Sequence, residues 1–101
     1  MAKLTKVAET TEIAPDQGKV VEAEGKSLAV FNCDGTFYAI DNTCLHRGGP
    51  LGEGELDGTI VTCPWHGWRY DVTTGVNAMN PAVKVGCYPV SVEGSSVLVE
   101  L

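Results

Sequence analysis

Basic residues are few in this sequence. Seven Lys and Arg stand against thirteen Asp and Glu, a net charge of -6 over 101 residues. A chain of that balance repels phosphate backbones, which argues against nucleic-acid binding. No apolar run approaches the ~20 residues that a bilayer span needs, and Met1 to Lys6 lack the apolar core of a secretory signal. No repeat, low-complexity tract or convincing helical period is present. The expectation is a soluble, cytoplasmic chain that binds neither membrane nor nucleic acid. Histidine is scarce as well: only His46 and His66, each within three residues of a cysteine. With 44% hydrophobic and 20% charged residues, the composition is that of one small globular domain over 1–101.

Val, Ile and Tyr recur in short runs between Gly-containing turns, the pattern of an antiparallel all-β domain. Leu4 to Ala8 reads as a strand. Lys19 to Ala23 and Ser27 to Asn32 read as a hairpin around Glu24-Gly25-Lys26, and Asp34-Gly35 as a tight primed turn before Thr36 to Ile40. Cys87 to Val92 and Ser96 to Leu101 flank Glu93-Gly94-Ser95 in the same way. Both chain ends thus supply a basal β core, about 1–41 and 76–101. The intervening 42–75 holds seven of the twelve glycines, both histidines, both tryptophans and two of the four cysteines. It reads as an inserted, loop-rich subdomain with short strands at Thr59 to Cys63 and Arg69 to Val72.

That segment carries two half-sites, Cys44-Leu45-His46 and Cys63-Pro64-Trp65-His66, with sixteen residues between His46 and Cys63. Each offers one thiolate and one imidazole. A zinc finger usually pairs Cys with Cys and His with His. Mixed half-sites suit a two-iron centre, where each loop sends its Cys to one iron and its His to the other. A Cys2His2 zinc site and two unrelated Cys/His pairs are the other readings. Cys33 and Cys87 have no ligand-spaced neighbour and read as free thiols, Cys87 buried on a strand. Glu53, Glu55 and Asp57 read as a solvated acidic loop.

The stretch from Cys44 to Pro50, followed by Cys63-Pro64-Trp65-His66-Gly67-Trp68-Arg69-Tyr70-Asp71, resembles the Rieske [2Fe–2S] motif. Thr74-Gly75, Pro81-Ala82 and Tyr88 to Gly94 are similar to Rieske-type ferredoxins, so the resemblance spans nearly the whole chain. It implies an antiparallel Rieske-like sandwich or barrel with an inserted cluster-binding subdomain. It also implies one [2Fe–2S] cluster, with Cys44 and Cys63 on the inner iron and His46 and His66 on the outer. The expected role is that of a monomeric electron carrier, not an enzyme. Its expected partners are an NAD(P)H-dependent flavoprotein ferredoxin reductase and a terminal Rieske non-haem iron oxygenase that hydroxylates aromatic rings. A small subunit of another redox enzyme, such as a nitrite reductase, is the alternative. Both histidines are used by the cluster, so none is left for the mononuclear iron of a catalytic oxygenase.

The resemblance also bears on potential. With neutral imidazoles the oxidised centre is neutral and the reduced one carries a single negative charge; four thiolates would make those states -2 and -3. An electron enters a neutral centre more easily, so the class lies at about -150 to +300 mV. High-potential members carry an inter-loop disulfide at the positions of Gly49 and Trp65, and a serine donor at that of Trp68. Neither is present, so the low end is expected, with Tyr70 matching the family's tyrosine donor. Gly48, Gly49 and Gly67 suit close backbone approach, Pro50 and Pro64 stiffen the loops, and packing is the default role for Trp65 and Trp68.

Overall fold

The computed structural model describes residues 4–43, 50–65 and 67–101. Among these residues the chain forms ten strands: β1 (Leu4–Glu9), β2 (Gln17–Ala23), β3 (Lys26–Cys33), β4 (Thr36–Asp41), β5 (Glu55–Asp57), β6 (Ile60–Thr62), β7 (Arg69–Asp71), β8 (Cys87–Tyr88), β9 (Val90–Glu93) and β10 (Ser96–Glu100). Helical structure there is confined to single 3-10 turns at Thr10–Glu12 and Leu51–Glu53. No helix among the described residues is long and apolar enough to cross a membrane.

The strands form three antiparallel sheets, ordered β1-β10-β9, β2-β3-β4-β8 and β5-β6-β7. Two of the hairpins follow from their turn residues. Glu24 and Gly25 have φ of 51° and 75°, and Asp34 and Gly35 have 52° and 94°. Two successive left-handed residues match the twist of the flanking strands. Asp and Gly tolerate that region most easily; Glu24 occupies it beside a glycine.

β3 is buried on both faces and divides the interior in two. Leu28 and Val30 enter a core with Ala8, Ile13, Val97 and Val99, between the sheet of β3 and that of the chain ends. Ala29, Phe31 and Cys33 point the other way, into a core with Ile40, Leu51, Val61, Cys63 and Tyr70. The period of two along one strand thus joins the segment 50–72 to the basal sheets through shared apolar packing.

Four details depart from the sequence reading. Glu55 and Asp57 are solvated, yet they lie on strand β5, with Leu56 between them buried. The run from Cys87 to Val92 is two strands in different sheets, parted at Pro89, which has no N–H for a ladder. Cys87 is exposed rather than buried, because β8 is a two-residue edge strand. The other inserted strands are also shorter than expected, covering Ile60–Thr62 and Arg69–Asp71.

Candidate metal centre

Of the four expected ligands the structure describes one, Cys63; Cys44, His46 and His66 lie outside the described residues. Cys63 follows β6 directly and opens the turn to β7. Its N–H donates to the Trp68 carbonyl at 2.6 Å, extending the β6–β7 ladder by one rung. Its carbonyl accepts from Gly67 N–H at 3.1 Å. Gly67 has a φ of 75°, and a Cβ there would meet nothing within 4 Å, so backbone conformation rather than space favours glycine. The Cys63 residue is 2% exposed, within the apolar cluster that holds Tyr70 and against which Trp68 packs.

The flanks of the first half-site are equally defined. Thr43 and Pro50 form an antiparallel bridge, and Leu51 N–H donates to the Asn42 carbonyl at 2.6 Å. After the Leu51–Glu53 turn the chain becomes β5, whose first residue, Glu55, pairs with Thr62; Thr62 in turn pairs with Arg69. Glu55, Thr62 and Arg69 therefore form the last row of the small sheet. Gly54, Cys63 and Trp68 lie immediately beyond it. The turn bearing Cys63 and the segment leaving 44–49 emerge at one end of one sheet.

Approach there is close. A Cβ on Gly54 would fall more than an ångström inside ordinary contact with the Thr62 carbonyl oxygen, so only glycine fits at this crossing. Trp68 is half-buried against the core, as packing requires, whereas Trp65 is 57% exposed. The described cysteines Cys33, Cys63 and Cys87 are not in disulfides. Burial raises the Cys33 thiol pKa, with Asp16 and Asp71 adding to it; Cys87 is exposed as a residue, but partial desolvation of its sulfur, which lies against the Thr73 carbonyl, raises it too, with Asp71 adding. Both therefore stay protonated and poorly nucleophilic near neutral pH.

A buried thiol without a disulfide partner, at the start of the β6–β7 turn and with its own N–H and carbonyl already bonded, suits a soft metal ligand. Among the described residues no three His, Cys, Asp or Glu side chains converge to hold a metal, and three of the four expected ligands lie outside that set. Sequence reasoning passed over the buried asparagines. Asn32, Asn42 and Asn77 are 5%, 8% and 3% exposed, and each organises a loop through its side chain. Asn32 and Asn42 lie at or beside a strand end, whereas Asn77 sits in the loop after β7, so no common sequence signal marks the three.

Comparison with known proteins agrees with this architecture. The model of the Rieske [2Fe-2S] domain matches residues 3–89. The ferredoxin component of a naphthalene 1,2-dioxygenase system from Pseudomonas aeruginosa is 39% identical over 82 residues, 80% of this chain and 79% of that protein. A chain in the complex of reduced oxygenase and oxidised ferredoxin of carbazole 1,9a-dioxygenase is 36% identical and superposes with a TM-score of 0.86, covering 95% of this chain and 91% of that one. A nitrite reductase small subunit from Mycobacterium tuberculosis, described as putative and NADH-dependent, superposes at 0.91 over 100% of this chain and 96% of its own, but at 22% identity it shares the fold alone. The chain belongs to the Rieske [2Fe-2S] domain family. Membership brings with it one [2Fe–2S] cluster.

Proposed function

We propose that this chain is the ferredoxin of a ring-hydroxylating dioxygenase system, carrying single electrons from a flavoprotein reductase to a terminal Rieske oxygenase. Cys44 and Cys63 hold one iron of the cluster, and His46 and His66 the other. Residues 42–75 form the cluster-binding part, and 1–41 with 76–101 the β core beneath it. Bound there, the cluster takes up and returns one electron. The observation that carries the reading is the shared end of the small sheet, where the Cys63 turn meets the segment leaving 44–49.

The protein's own part is to hold donors still and keep water out. Cys63 sits on a bonded hairpin end, and Trp68 and Tyr70 fill the apolar volume around it. A rigid, dry surround limits the reorganisation that accompanies each change of charge. Glu55 and Asp57, exposed on edge strand β5, give this part of the surface negative charge that steers a basic partner. Free thiols at Cys33 and Cys87 suit a reducing compartment, and we place the protein in the cytoplasm.

The test is anaerobic. NADH and a catalytic amount of flavoprotein reductase should reduce the chain by one electron, and an oxidised terminal Rieske oxygenase should take that electron away. A chain that accepts no electron, or whose reduced form no oxygenase reoxidises, overturns the reading.

A further inference from the structure

We propose that Asn42 is a positioning residue for the cluster, acting through a clasp that joins the two ends of the 44–49 segment. The inference rests on the reading above, in which Cys44 and His46 are ligands. Asn42 follows β4 directly and is 8% exposed. All of its polar groups on both sides are used. Its N–H donates to the Ser27 carbonyl at 3.0 Å, and its carbonyl accepts from Leu51 N–H at 2.6 Å. Its side-chain Oδ1 accepts from Gly52 N–H at 2.7 Å, and Nδ2 donates to Ser27 Oγ at 3.2 Å. One residue therefore ties the start of the segment to β3 and, through Leu51 and Gly52, to the residues just after it.

Its surroundings leave little slack. A Cβ on Gly52 would lie 3.1 Å from Asn42 Oδ1, 2.7 Å from Val20 Cγ2 and 3.0 Å from Val20 N. Gly52 can thus sit against the amide only because it has no side chain. The preceding residue is anchored the opposite way: Asp41 accepts from Tyr88 Oη at 2.5 Å and from Gly86 N–H at 2.8 Å, toward β8. Strand alternation sends Asp41 to one side and Asn42 to the other. The exit of β4, two residues before Cys44, is fixed from both directions, and among the described residues it is the Asn42 side that bonds to Leu51 and Gly52.

An alanine at 42 keeps the backbone bonds and removes both side-chain ones, leaving Gly52 N–H buried and unpaired. That loss corresponds to roughly tenfold in the equilibrium between joined and parted flanks, Asn42 on one side and Gly52 on the other. The test measures three quantities on the iron-loaded protein: the rate of iron loss to a chelator, the electron paramagnetic resonance g-values of the reduced state, and the denaturation midpoint. Asn42→Ala should lose iron roughly tenfold faster and shift the g-values. Ser27→Ala, which spares the Gly52 bond, should do the same more weakly, and it keeps the test open if Asn42→Ala does not fold. Tyr88→Phe, which removes one of the two Asp41 side-chain bonds on the β8 side and leaves the Asn42 bonds intact, should lower the midpoint while leaving g-values and iron loss near wild type. If the Asn42 and Ser27 variants change only the midpoint, as Tyr88→Phe does, the residue is structural and the inference fails alone. A Cys44→Ser protein with the wild-type spectrum would instead remove the ligand reading, and the inference with it.

Discussion

Gly54 and Gly58 lie four residues apart around β5, and alanine at each should fail for a different reason and by a different amount. At Gly58 the φ is +64° and a Cβ would meet nothing within 4 Å. Alanine there meets only the backbone penalty of the left-handed region, about 1 to 2 kcal/mol. At Gly54 the conformation is open to any residue, with a φ of -76°. The obstacle is the Thr62 carbonyl, backbone rather than a flexible side chain, with Val61 Cγ2 at 3.0 Å behind it. Relief requires β5 and β6 to part by about an ångström at the row next to Cys63. Two polar backbone groups then lose good geometry in a half-buried place, at about 1 to 3 kcal/mol each. Gly54→Ala should therefore cost about 2 to 6 kcal/mol, a large share of a domain's 5 to 15. Thermal denaturation followed by far-ultraviolet circular dichroism separates the two. At about 4 to 8 °C per kcal/mol for a domain of this size, Gly58→Ala should drop the midpoint by roughly 10 °C and Gly54→Ala by clearly more. Visible absorption should fade ahead of unfolding only in Gly54→Ala, since only that clash sits beside Cys63. Equal midpoints, or an unaltered chromophore in Gly54→Ala, would refute the reasoning.

Tyr88 is pushed up to about 12, mainly by burial and then by its bond to Asp41. Its protonated form is favoured by folding, so its contribution is complete below pH 10 and is lost as pH rises through 12. Denaturant titrations should show stability falling across that window, and Tyr88→Phe should flatten the slope there. Trp68→Ser should raise the reduction potential by roughly 60 mV or more if the new hydroxyl donates to a cluster sulfide, as measured by voltammetry; an unchanged value reduces Trp68 to packing. Converting Glu53, Glu55 and Asp57 to Gln or Asn should slow reduction by the flavoprotein at low salt and leave the potential unchanged; identical stopped-flow rates across a salt series would remove these acids from docking.

Hairpins marked by a glycine turn were legible because turn chemistry is local. Asp34-Gly35 adopts the left-handed pair that a primed turn needs; the first hairpin is present too, but its turn is the pair Glu24-Gly25, with Lys26 already in β3. β5 was not legible: one apolar Leu56 between two acids is too short a period to separate strand from loop, and pairing with β6 decides it. Pro89 marked a break that the alternation on either side concealed, and only the edge position of β8 makes Cys87 exposed. The ligand spacing stood out because Cys and His are rare in the chain. The clasp at Asn42 did not, since its bonds run to Ser27 and Gly52, fifteen and ten residues away.

Mössbauer spectroscopy of oxidised protein grown on 57Fe tests the central claim most directly, because it counts irons and separates their ligands. Two ferric sites in equal amount with different isomer shifts are expected, one thiolate-bound through Cys44 and Cys63, the other imidazole-bound through His46 and His66. A single kind of iron site, or protein holding stoichiometric zinc and no iron, would contradict the account.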